Sequence, residues 1–283
     1  MLSYRHSFHA GNFADVIKHI VQIEILDHLC KKDTPFAYID THSGAGLYDL
    51  RSESAAKLGE YQDGVAKLWA PRPDIISRYL DLIASFNASD AIHRYPGSPL
   101  IAQAIMRSQD RSWLYELHPQ DFNTLSNNVK RDKAIRVHCE DGLTGVLAHV
   151  PPVSRRGLIL IDPSYEVKTE YEKVFYAVTK AYKKFSTGIF AIWYPVVERS
   201  TIRELERRLA NSGMKNIQRF ELGVLPDTTE RGMTAAGMFV VNTPWGLMDK
   251  MQRVLPLLKK RLALDENAFY TCDSVTSEFG KKL

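Results

Sequence analysis

The chain has few cysteines and no long apolar run. Its three cysteines, Cys30, Cys139 and Cys272, are scattered without a Cys-x-x-Cys pair, which argues against a disulfide framework or a cysteine zinc site. This pattern fits a reducing cytoplasm. No stretch of about 18 apolar residues occurs, and the first residues carry no apolar signal segment. We therefore expect a cytoplasmic protein that does not span a membrane.

Several catalytic signatures are also missing. The nine histidines form no His-Glu-x-x-His motif, and His138 lacks partners at metal-ligand spacing, so we expect no metal site. Neither a Gly-x-Ser-x-Gly elbow nor a Gly-x-x-x-x-Gly-Lys loop occurs, which disfavours a serine hydrolase and a P-loop enzyme. The net charge of +4 and the isoelectric point near 8.8 permit a polyanionic partner without requiring one.

Buried strands alternate with amphipathic helices along most of the chain. Seven segments have the apolar character of buried strands: 36–41, 113–117, 135–138, 158–162, 189–193, 217–225 and 238–242. Apolar residues at helical spacing predict helices over 14–31, 100–107, 121–130, 171–185 and 202–211. This alternation predicts an α/β fold, doubly wound around a mostly parallel sheet. A loop rich in Thr and Gly joins the last two strands, which should therefore pair antiparallel.

One interval breaks the alternation. The stretch of chain between the first two predicted strands is much longer than one crossover helix needs. Residues 47–97 begin polar and then become helical, which predicts an inserted helical subdomain beside the ligand edge. Residues 1–46 would supply an N-terminal arm, the first helix and the first strand, and residues 98–283 the remainder of the same α/β domain.

The most informative motif is Asp162-Pro163-Ser164-Tyr165, which follows the apolar run 158–161. Pro163 cannot continue a strand ladder, so the chain leaves the sheet there. A carboxylate, a carbonyl and an aromatic ring are thereby placed at the carboxyl edge, where α/β folds bind ligands. The motif is one residue away from the Asp-Pro-Pro-Tyr signature of enzymes that methylate exocyclic amines. An ordinary proline turn is the alternative.

Three earlier strands end in an acidic residue with or near a glycine. Asp40 precedes Gly44 and Gly46 in an acid-x-x-x-Gly-x-Gly turn, which is typical of S-adenosylmethionine pockets. Glu116 ends the second strand, where a carboxylate can accept both ribose hydroxyls of an adenosyl group. Asp141-Gly142 ends the third, where the acid could accept from an adenine amino group beside a closely approaching backbone. Taken singly, each is equally a turn or a surface carboxylate.

Ser98 stands at the start of a predicted helix. Because Pro99 follows it at a position that favours proline, Ser98 is predicted to cap that helix. Its hydroxyl would touch a cofactor instead if the helix start faces the pocket.

The N-terminal segment is rich in cations and aromatic rings, namely Tyr4, Arg5, His6, His9, Lys18 and His19. Such an arm suits a nucleic acid, because phosphates pair with cations and an exposed base stacks on a ring. A solvated helix face with a frayed end is the alternative.

The order of these motifs resembles the bacterial 23S rRNA adenine-N6 methyltransferase J family, from the first residue to about Val254. The matching stretches are 1–12, 14–15, 18–19, 40–42, 44–46, 95–100, 116–119, 141–142, 151–163, 193–197 and 231–235. The resemblance implies a Rossmann-like class I S-adenosylmethionine-dependent methyltransferase with a seven-stranded sheet and a small helical insertion. Its substrate would be one adenine of large-subunit 23S rRNA, of the adenine-2030 type.

The same resemblance implies roles for individual residues. The cofactor contacts would be His19, His42, Gly44, Gly46, Ser98, Glu116, Asp141, Gly142 and Asp162. Catalysis is assigned to Asp162, Pro163, Tyr165 and Lys18, and RNA contact to Tyr4 and His6. Ser164 departs from the family, whose members have Pro there, and should loosen the loop without abolishing activity. The tail from about Pro256 does not match the family and is assigned no role.

The expected reaction is direct in-line methyl transfer to N6 of an extruded adenine. The amino group would bind Asp162 and the Pro163 carbonyl, with Tyr165 and Tyr4 as stacking partners. We expect free or early-assembly 23S rRNA as the partner, and a monomer. A DNA adenine or protein glutamine-amide methyltransferase, or a catalytically weak RNA-binding relative, remains an alternative. A nicotinamide-dependent dehydrogenase is disfavoured because the glycine pattern is too short.

Overall fold

The computed structural model describes residues 5–130, 132–227 and 232–277. Its strands are β1 Ala37–Asp40, β2 Leu47–Asp49, β3 Arg94–Pro96, β4 Arg111–Tyr115, β5 Ile135–His138, β6 Gly157–Ile161, β7 Ile189–Val196, β8 Gln218–Gly223, β9 Ala235–Val241 and β10 Phe269–Ser274. Eight of them form one sheet in the order β10-β8-β9-β7-β6-β1-β4-β5. Neighbours from β7 to β5 pair in parallel. The prediction of a mostly parallel, doubly wound α/β fold is confirmed.

Within the described part of the chain the sheet contains eight strands, so the predicted count of seven is wrong. The additional strand, β10, lies in the tail after Pro256 that was assigned no role, and it pairs antiparallel with β8. Sequence patterns missed it because an edge strand with mostly half-exposed side chains shows no continuous apolar run. The predicted antiparallel pairing of the two preceding strands, β8 and β9, is confirmed.

Two groups of helices contact the sheet. The helices are α1 Phe13–Cys30, α2 Glu53–Leu58, α3 Glu60–Asp63, α4 Ala66–Trp69, α5 Ser77–Ala84, α6 Ser98–Ile105, α7 Pro119–Val129, α8 Gly142–His149, α9 Thr169–Lys184, α10 Arg199–Ala210 and α11 Leu247–Leu262. One group consists of α1, α6 and α11; in the other, α8 and α10 contact the sheet and α9 packs against both of them. Helix α7 contacts β5. None of the helices within the described residues is long and apolar enough to cross a membrane.

Helix α1 is buried on most of its surface. The Asn12 side chain caps it by accepting a hydrogen bond from the Asp15 amide at 2.9 Å. Its apolar residues pack between the sheet and α6 and α11. Four polar side chains, Asp15, Lys18, His19 and Gln22, are buried with them. Because buried polar groups are costly without partners, these four residues need partners inside the protein.

Residues 47–97 leave the main sheet after β1 and return before α6. Their ends pair as an antiparallel ribbon of β2 and β3, and α2 to α5 lie between. The segment packs directly on the N-terminal loop, where the Val65 amide donates to the Gly11 carbonyl at 2.9 Å. A Cβ on Gly64 would lie only 2.1 Å from the same carbonyl oxygen, so this contact requires glycine.

Strand β1 lies where the strand order reverses direction along the chain. Its parallel neighbours are β6 on one side and β4 on the other. At such a switch point, the connections leave in opposite directions and open a crevice beyond the carboxyl ends of the strands. The fold therefore positions a ligand site beside the turns that follow β1, β4, β5 and β6.

Candidate active site

A cleft of about 380 Å³ opens at this carboxyl edge. Its lining brings together most of the residues selected from the sequence: His6, Lys18, His19, His42, Gly44, Ser98, Glu116, Asp141, Gly142, Asp162 and Pro163. Gly46 and Tyr165 are not part of the lining. The predicted RNA contact Tyr4 lies outside the described residues.

Asp40 is buried beneath the turn after β1, where two side-chain hydroxyls donate to its carboxylate. Its Oδ2 accepts hydrogen bonds from the Ser98 hydroxyl at 2.6 Å and the Tyr38 hydroxyl at 2.7 Å. Burial raises its pKa to about 6, although these bonds act in the opposite direction. The predicted helix cap by Ser98 is wrong, because Gly97 is the N-cap residue and the Ser98 side chain binds Asp40 instead. Asp40 therefore ties the turn to the start of α6.

The glycines of this turn adopt left-handed backbone conformations, with φ of +60° at Gly44 and +81° at Gly46. The Gly44 amide donates to Glu116 Oε2 at 2.8 Å, and the His118 amide donates to Glu116 Oε1 at 2.7 Å. Burial raises the pKa of Glu116, and the two amides partly offset this rise. Glu116 thus holds the turn, and its remaining lone pairs can still accept from a ligand hydroxyl.

Asp141 and Gly142 form the start of α8. Asp141 caps the helix, because its Oδ1 accepts from the Leu143 amide at 2.8 Å. A Cβ on Gly142 would lie 2.1 Å from the Thr41 carbonyl oxygen. Close packing of α8 against the turn after β1 therefore explains this glycine independently of any ligand.

Two histidines of the cleft are held neutral. His19 Nδ1 lies 2.7 Å from the Tyr95 hydroxyl, and burial lowers the pKa of His19 to about 3. His42 Nδ1 lies 2.7 Å from the Thr41 hydroxyl, and burial lowers the pKa of His42 to about 4. His19 Nε2 is buried and has no hydrogen-bond partner among the described residues. These rings add hydrogen-bonding groups to the cleft without adding positive charge near pH 7.

Asp162 ends β6 and is held by an ion pair across the cleft. Lys18 Nζ donates to Asp162 Oδ2 at 2.6 Å, and it contacts Asp15 Oδ1 at 2.7 Å. Burial raises the pKa of Asp162, although Lys18 opposes the rise. Burial alone would lower the pKa of Lys18, but the two carboxylates outweigh it and raise that pKa. Lys18 is therefore an ammonium that bridges two carboxylates.

Tyr165 supports the loop 162–165 without lining the cleft. Its φ of 53° is left-handed, and its hydroxyl donates to the Trp193 carbonyl at 2.8 Å. The Tyr165 ring packs against Tyr171 with centroids 4.2 Å apart. Trp193 and Tyr48 line the cleft with aromatic side chains, and the Trp193 ring centroid lies 5.8 Å from Lys18 Nζ. Sequence reasoning matched Trp193 to the family but gave it no role.

The N-terminal arm reaches the same site. His6 Nε2 donates to Asp15 Oδ2 at 2.9 Å, and the His6 ring meets Tyr48 edge-on with centroids 5.1 Å apart. From the sequence, Asp15 belongs only to a short stretch that matches the family. In the structure its carboxylate connects His6 to Lys18. No group of three or more His, Cys, Asp or Glu within residues 5–130, 132–227 and 232–277 is arranged to hold a metal ion.

The parallel sheet, its glycine turn and the acidic cleft at its carboxyl edge define a Rossmann-like α/β protein with a ligand site at the switch point of its sheet. The family model described as "Ribosomal RNA large subunit methyltransferase D, RlmJ" matches residues 33–274. The chain therefore belongs to this family of ribosomal RNA large subunit methyltransferases. The match extends well beyond Pro256, so the expectation that the tail departs from the family is wrong.

Three relatives illustrate the similarity. The chain is 50% identical over 264 residues to "Ribosomal RNA large subunit methyltransferase J" of Escherichia coli (strain K12), covering 93% of this chain and 94% of that protein. It is 47% identical over 281 residues to the protein of the same description from Haemophilus influenzae, covering 98% and 100%. A crystal structure of protein LPL1258 from Legionella pneumophila is 38% identical, with a TM-score of 0.88 and coverage of 94% and 98%.

Proposed function

We propose that this protein transfers a methyl group from S-adenosylmethionine to the exocyclic N6 of a single adenine in 23S rRNA, of the type that the resemblance identifies as adenine 2030. The observation that carries the proposal is the buried Asp162 carboxylate, held by Lys18 at 2.6 Å beside Pro163 in the cleft. The descriptions of the Escherichia coli and Haemophilus influenzae relatives support large-subunit rRNA as the acceptor.

The residues of the cleft fit S-adenosylmethionine. Its volume of about 380 Å³ falls in the range of small-molecule sites. Carboxylates outnumber ammonium groups in the lining, where the acidic residues are Glu116, Asp121, Glu140, Asp141, Asp162 and Glu170 and the lysines are Lys18 and Lys173. His19 and His42 are neutral, so the lining suits a cationic sulfonium. When bound, the cofactor supplies an electrophilic methyl group.

Cofactor roles follow from which donors and acceptors face the cleft. Glu116 would accept the ribose hydroxyls, and Asp141 would accept from the adenine amino group. The backbone at Gly44 and Gly142 would lie close to the ligand. The Nε2 of His19, which has no hydrogen-bond partner among the described residues, offers one further polar contact. Ser98 and Gly46 act indirectly, because Ser98 binds Asp40 and Gly46 shapes the turn.

The chain's own part in the reaction is positioning and proton acceptance. The adenine amino group is a poor nucleophile because its lone pair is delocalised into the ring. Hydrogen bonds from that group to the Asp162 carboxylate and the Pro163 carbonyl would favour a pyramidal nitrogen, aligned for in-line attack. The proton that the nitrogen releases passes to Asp162 or to water. Lys18 remains an ammonium and keeps Asp162 in place.

An adenine in RNA must leave its stack to reach Asp162. Trp193 is the aromatic wall that the extruded base would meet in the cleft, and Tyr165 supports that wall through the Trp193 carbonyl. His6 and Tyr4 of the N-terminal arm would contact the RNA. We further propose that free or early-assembly 23S rRNA is the acceptor, that the protein acts as a cytoplasmic monomer, and that residues 47–97 form an inserted subdomain.

The test is methyl transfer from labelled S-adenosylmethionine to four acceptors: deproteinised 23S rRNA, assembled large subunits, duplex DNA and a release-factor protein. We expect labelling of the deproteinised rRNA above all others, and its loss in Asp162→Ala, which removes the hydrogen-bond acceptor. Calorimetric titration of that variant should show cofactor affinity close to wild type. Preferred labelling of DNA or protein, or an active Asp162→Ala variant, would contradict the proposal.

A further inference from the structure

The two oxygens of Asp15 bind different parts of the site. Its Oδ1 accepts from Lys18 Nζ at 2.7 Å. Its Oδ2 accepts from His6 Nε2 at 2.9 Å and from the Gly11 amide at 2.8 Å. The residue is only 1% exposed, so these partners provide its solvation. One buried carboxylate therefore connects the N-terminal arm to the lysine that holds Asp162.

Lys18 is shared between two carboxylates at nearly equal distances, 2.6 Å to Asp162 and 2.7 Å to Asp15. It binds Asp162 through Oδ2 alone, and no described residue donates to Asp162 Oδ1. A lysine ammonium is a compact charge on a flexible stem, so a second anchor is needed to fix where it lies. Asp15 supplies that anchor from one turn earlier on α1.

We propose that Asp15 is a positioning residue for methyl transfer. It accepts a hydrogen bond from the Lys18 ammonium, which therefore cannot move fully onto Asp162 and contacts only its Oδ2. Asp162 Oδ1 is left to accept the N–H of the target amine. Through His6 and Gly11, the same carboxylate fixes the N-terminal arm relative to Asp162. The inference rests on the proposed function, because it concerns the amine-binding step of that reaction.

The directions of the pKa shifts indicate that Asp15 and Lys18 form a stable ion pair and do not exchange a proton. Burial acts to raise the pKa of Asp15, but His6 and Lys18 outweigh it and hold that pKa well below its usual value. The pKa of Lys18 is raised above its usual value. Moving a proton from Lys18 to Asp15 is therefore strongly uphill, and the ion pair persists through the reaction.

The variant Asp15→Asn keeps the shape of the side chain and removes its charge. We expect kcat for methylation of 23S rRNA to fall by about 100-fold, the size of effect that follows from misplacing a reacting group by roughly 1 Å. The dissociation constant for S-adenosylmethionine should change by less than about twofold, because Asp15 does not line the cleft. Asp15→Glu, which retains the charge but moves it by one methylene, should give an intermediate kcat.

Asp110→Asn is the matched control. Asp110 is 0% exposed and accepts from Arg107 Nε at 2.9 Å and from the Phe36 amide at 3.0 Å, at the opposite edge of the sheet. Its loss should lower stability and leave kcat unchanged at a temperature where the variant is folded. A merely structural role for Asp15 predicts that both variants behave alike.

A pH profile separates positioning from packing. The charged and titratable groups that face Asp162 are Lys18, Asp15 and His6 from the N-terminal part, Asp40 and Tyr38 from β1, and Tyr165 from the loop after β6. Asp15 repels the Asp162 carboxylate and contributes to its raised pKa. Without that charge, the pKa of Asp162 falls, so the acidic limb of the kcat profile should move to lower pH in Asp15→Asn.

The outcomes are distinguishable. Wild-type kcat in a folded Asp15→Asn or Asp15→Glu variant overturns the inference, as does a loss of kcat that is matched by an equal loss of cofactor affinity. If Asp15→Asn does not fold, Asp15→Glu carries the test alone, with reduced kcat at unchanged cofactor affinity as the expected result. Failure of the wild-type protein to label 23S rRNA would instead contradict the proposed function.

Discussion

Replacing Lys18 with methionine should lower the free energy of unfolding, because it removes the ammonium that pairs with the carboxylates of the cleft. The ammonium lies 2.6 Å from Asp162 and 2.7 Å from Asp15, and the two carboxylate side chains are 13% and 1% exposed. After the replacement, Asp15 keeps its bonds to His6 and the Gly11 amide, whereas Asp162 loses its ion pair. Removing one partner of a buried ion pair costs about 3–5 kcal/mol. We expect a loss of that size in the free energy of unfolding near pH 8.

The stability defect of Lys18→Met should depend on pH, in a direction set by the pKa of Asp162. Burial raises the pKa of Asp162, and removing Lys18 raises it further because the opposing charge is gone. A carboxyl whose folded pKa exceeds its unfolded pKa binds more protons in the folded state, so stability falls as pH rises through that window. The defect of Lys18→Met should therefore be smaller near pH 5 than near pH 8.

Urea denaturation of the two proteins at both pH values measures the difference. Lys250→Met is a matched control, because Lys250 pairs with Glu24 of the same helix α1 at 3.0 Å and both side chains are about a quarter exposed. That pair should contribute about 0–1 kcal/mol at either pH. A Lys18→Met variant within about 1 kcal/mol of wild type at pH 8, or one equally destabilised at both pH values, would refute the reasoning.

Three further predictions concern the walls of the site. Gly142→Ala places a Cβ 2.1 Å from a backbone oxygen and should cost about 1–3 kcal/mol or more in urea denaturation, with weaker cofactor binding by calorimetry. Ser98→Ala removes a 2.6 Å hydrogen bond to Asp40, so unfolding should become easier by about 1–3 kcal/mol near pH 8 and by less below the pKa of about 6, where Asp40 is protonated. Tyr165→Phe should cost about 1 kcal/mol and reduce kcat only modestly, since the hydroxyl supports the loop; a 100-fold loss of kcat would contradict that supporting role.

The sequence was sufficient to locate the cleft because parallel strands have a simple geometry. Asp40, Glu116, Asp141 and Asp162 each follow an apolar segment, and parallel pairing brings those strand ends to one edge. The alternation of strands with helices was enough to predict that pairing. The candidate site could thus be assembled from four short motifs that are distant in the chain.

What the sequence could not reveal depends on contacts between distant residues. Ser98 has the local pattern of a helix cap, but its hydroxyl binds Asp40, which a sequence window around Ser98 does not include. Tyr165 has the pattern of a stacking residue, but its left-handed backbone turns the ring onto Tyr171. Strand β10 pairs at the sheet edge, where half-exposed side chains leave no apolar signal.

The most direct test of the central claim is mass mapping of methylated nucleotides in 23S rRNA from cells with and without this gene. We expect one N6-methyladenine to disappear when the gene is removed. The wild-type gene should restore it, and a gene that encodes Asp162→Ala should not. An unchanged methylation pattern in cells that lack the gene, or full restoration by Asp162→Ala, would contradict the account.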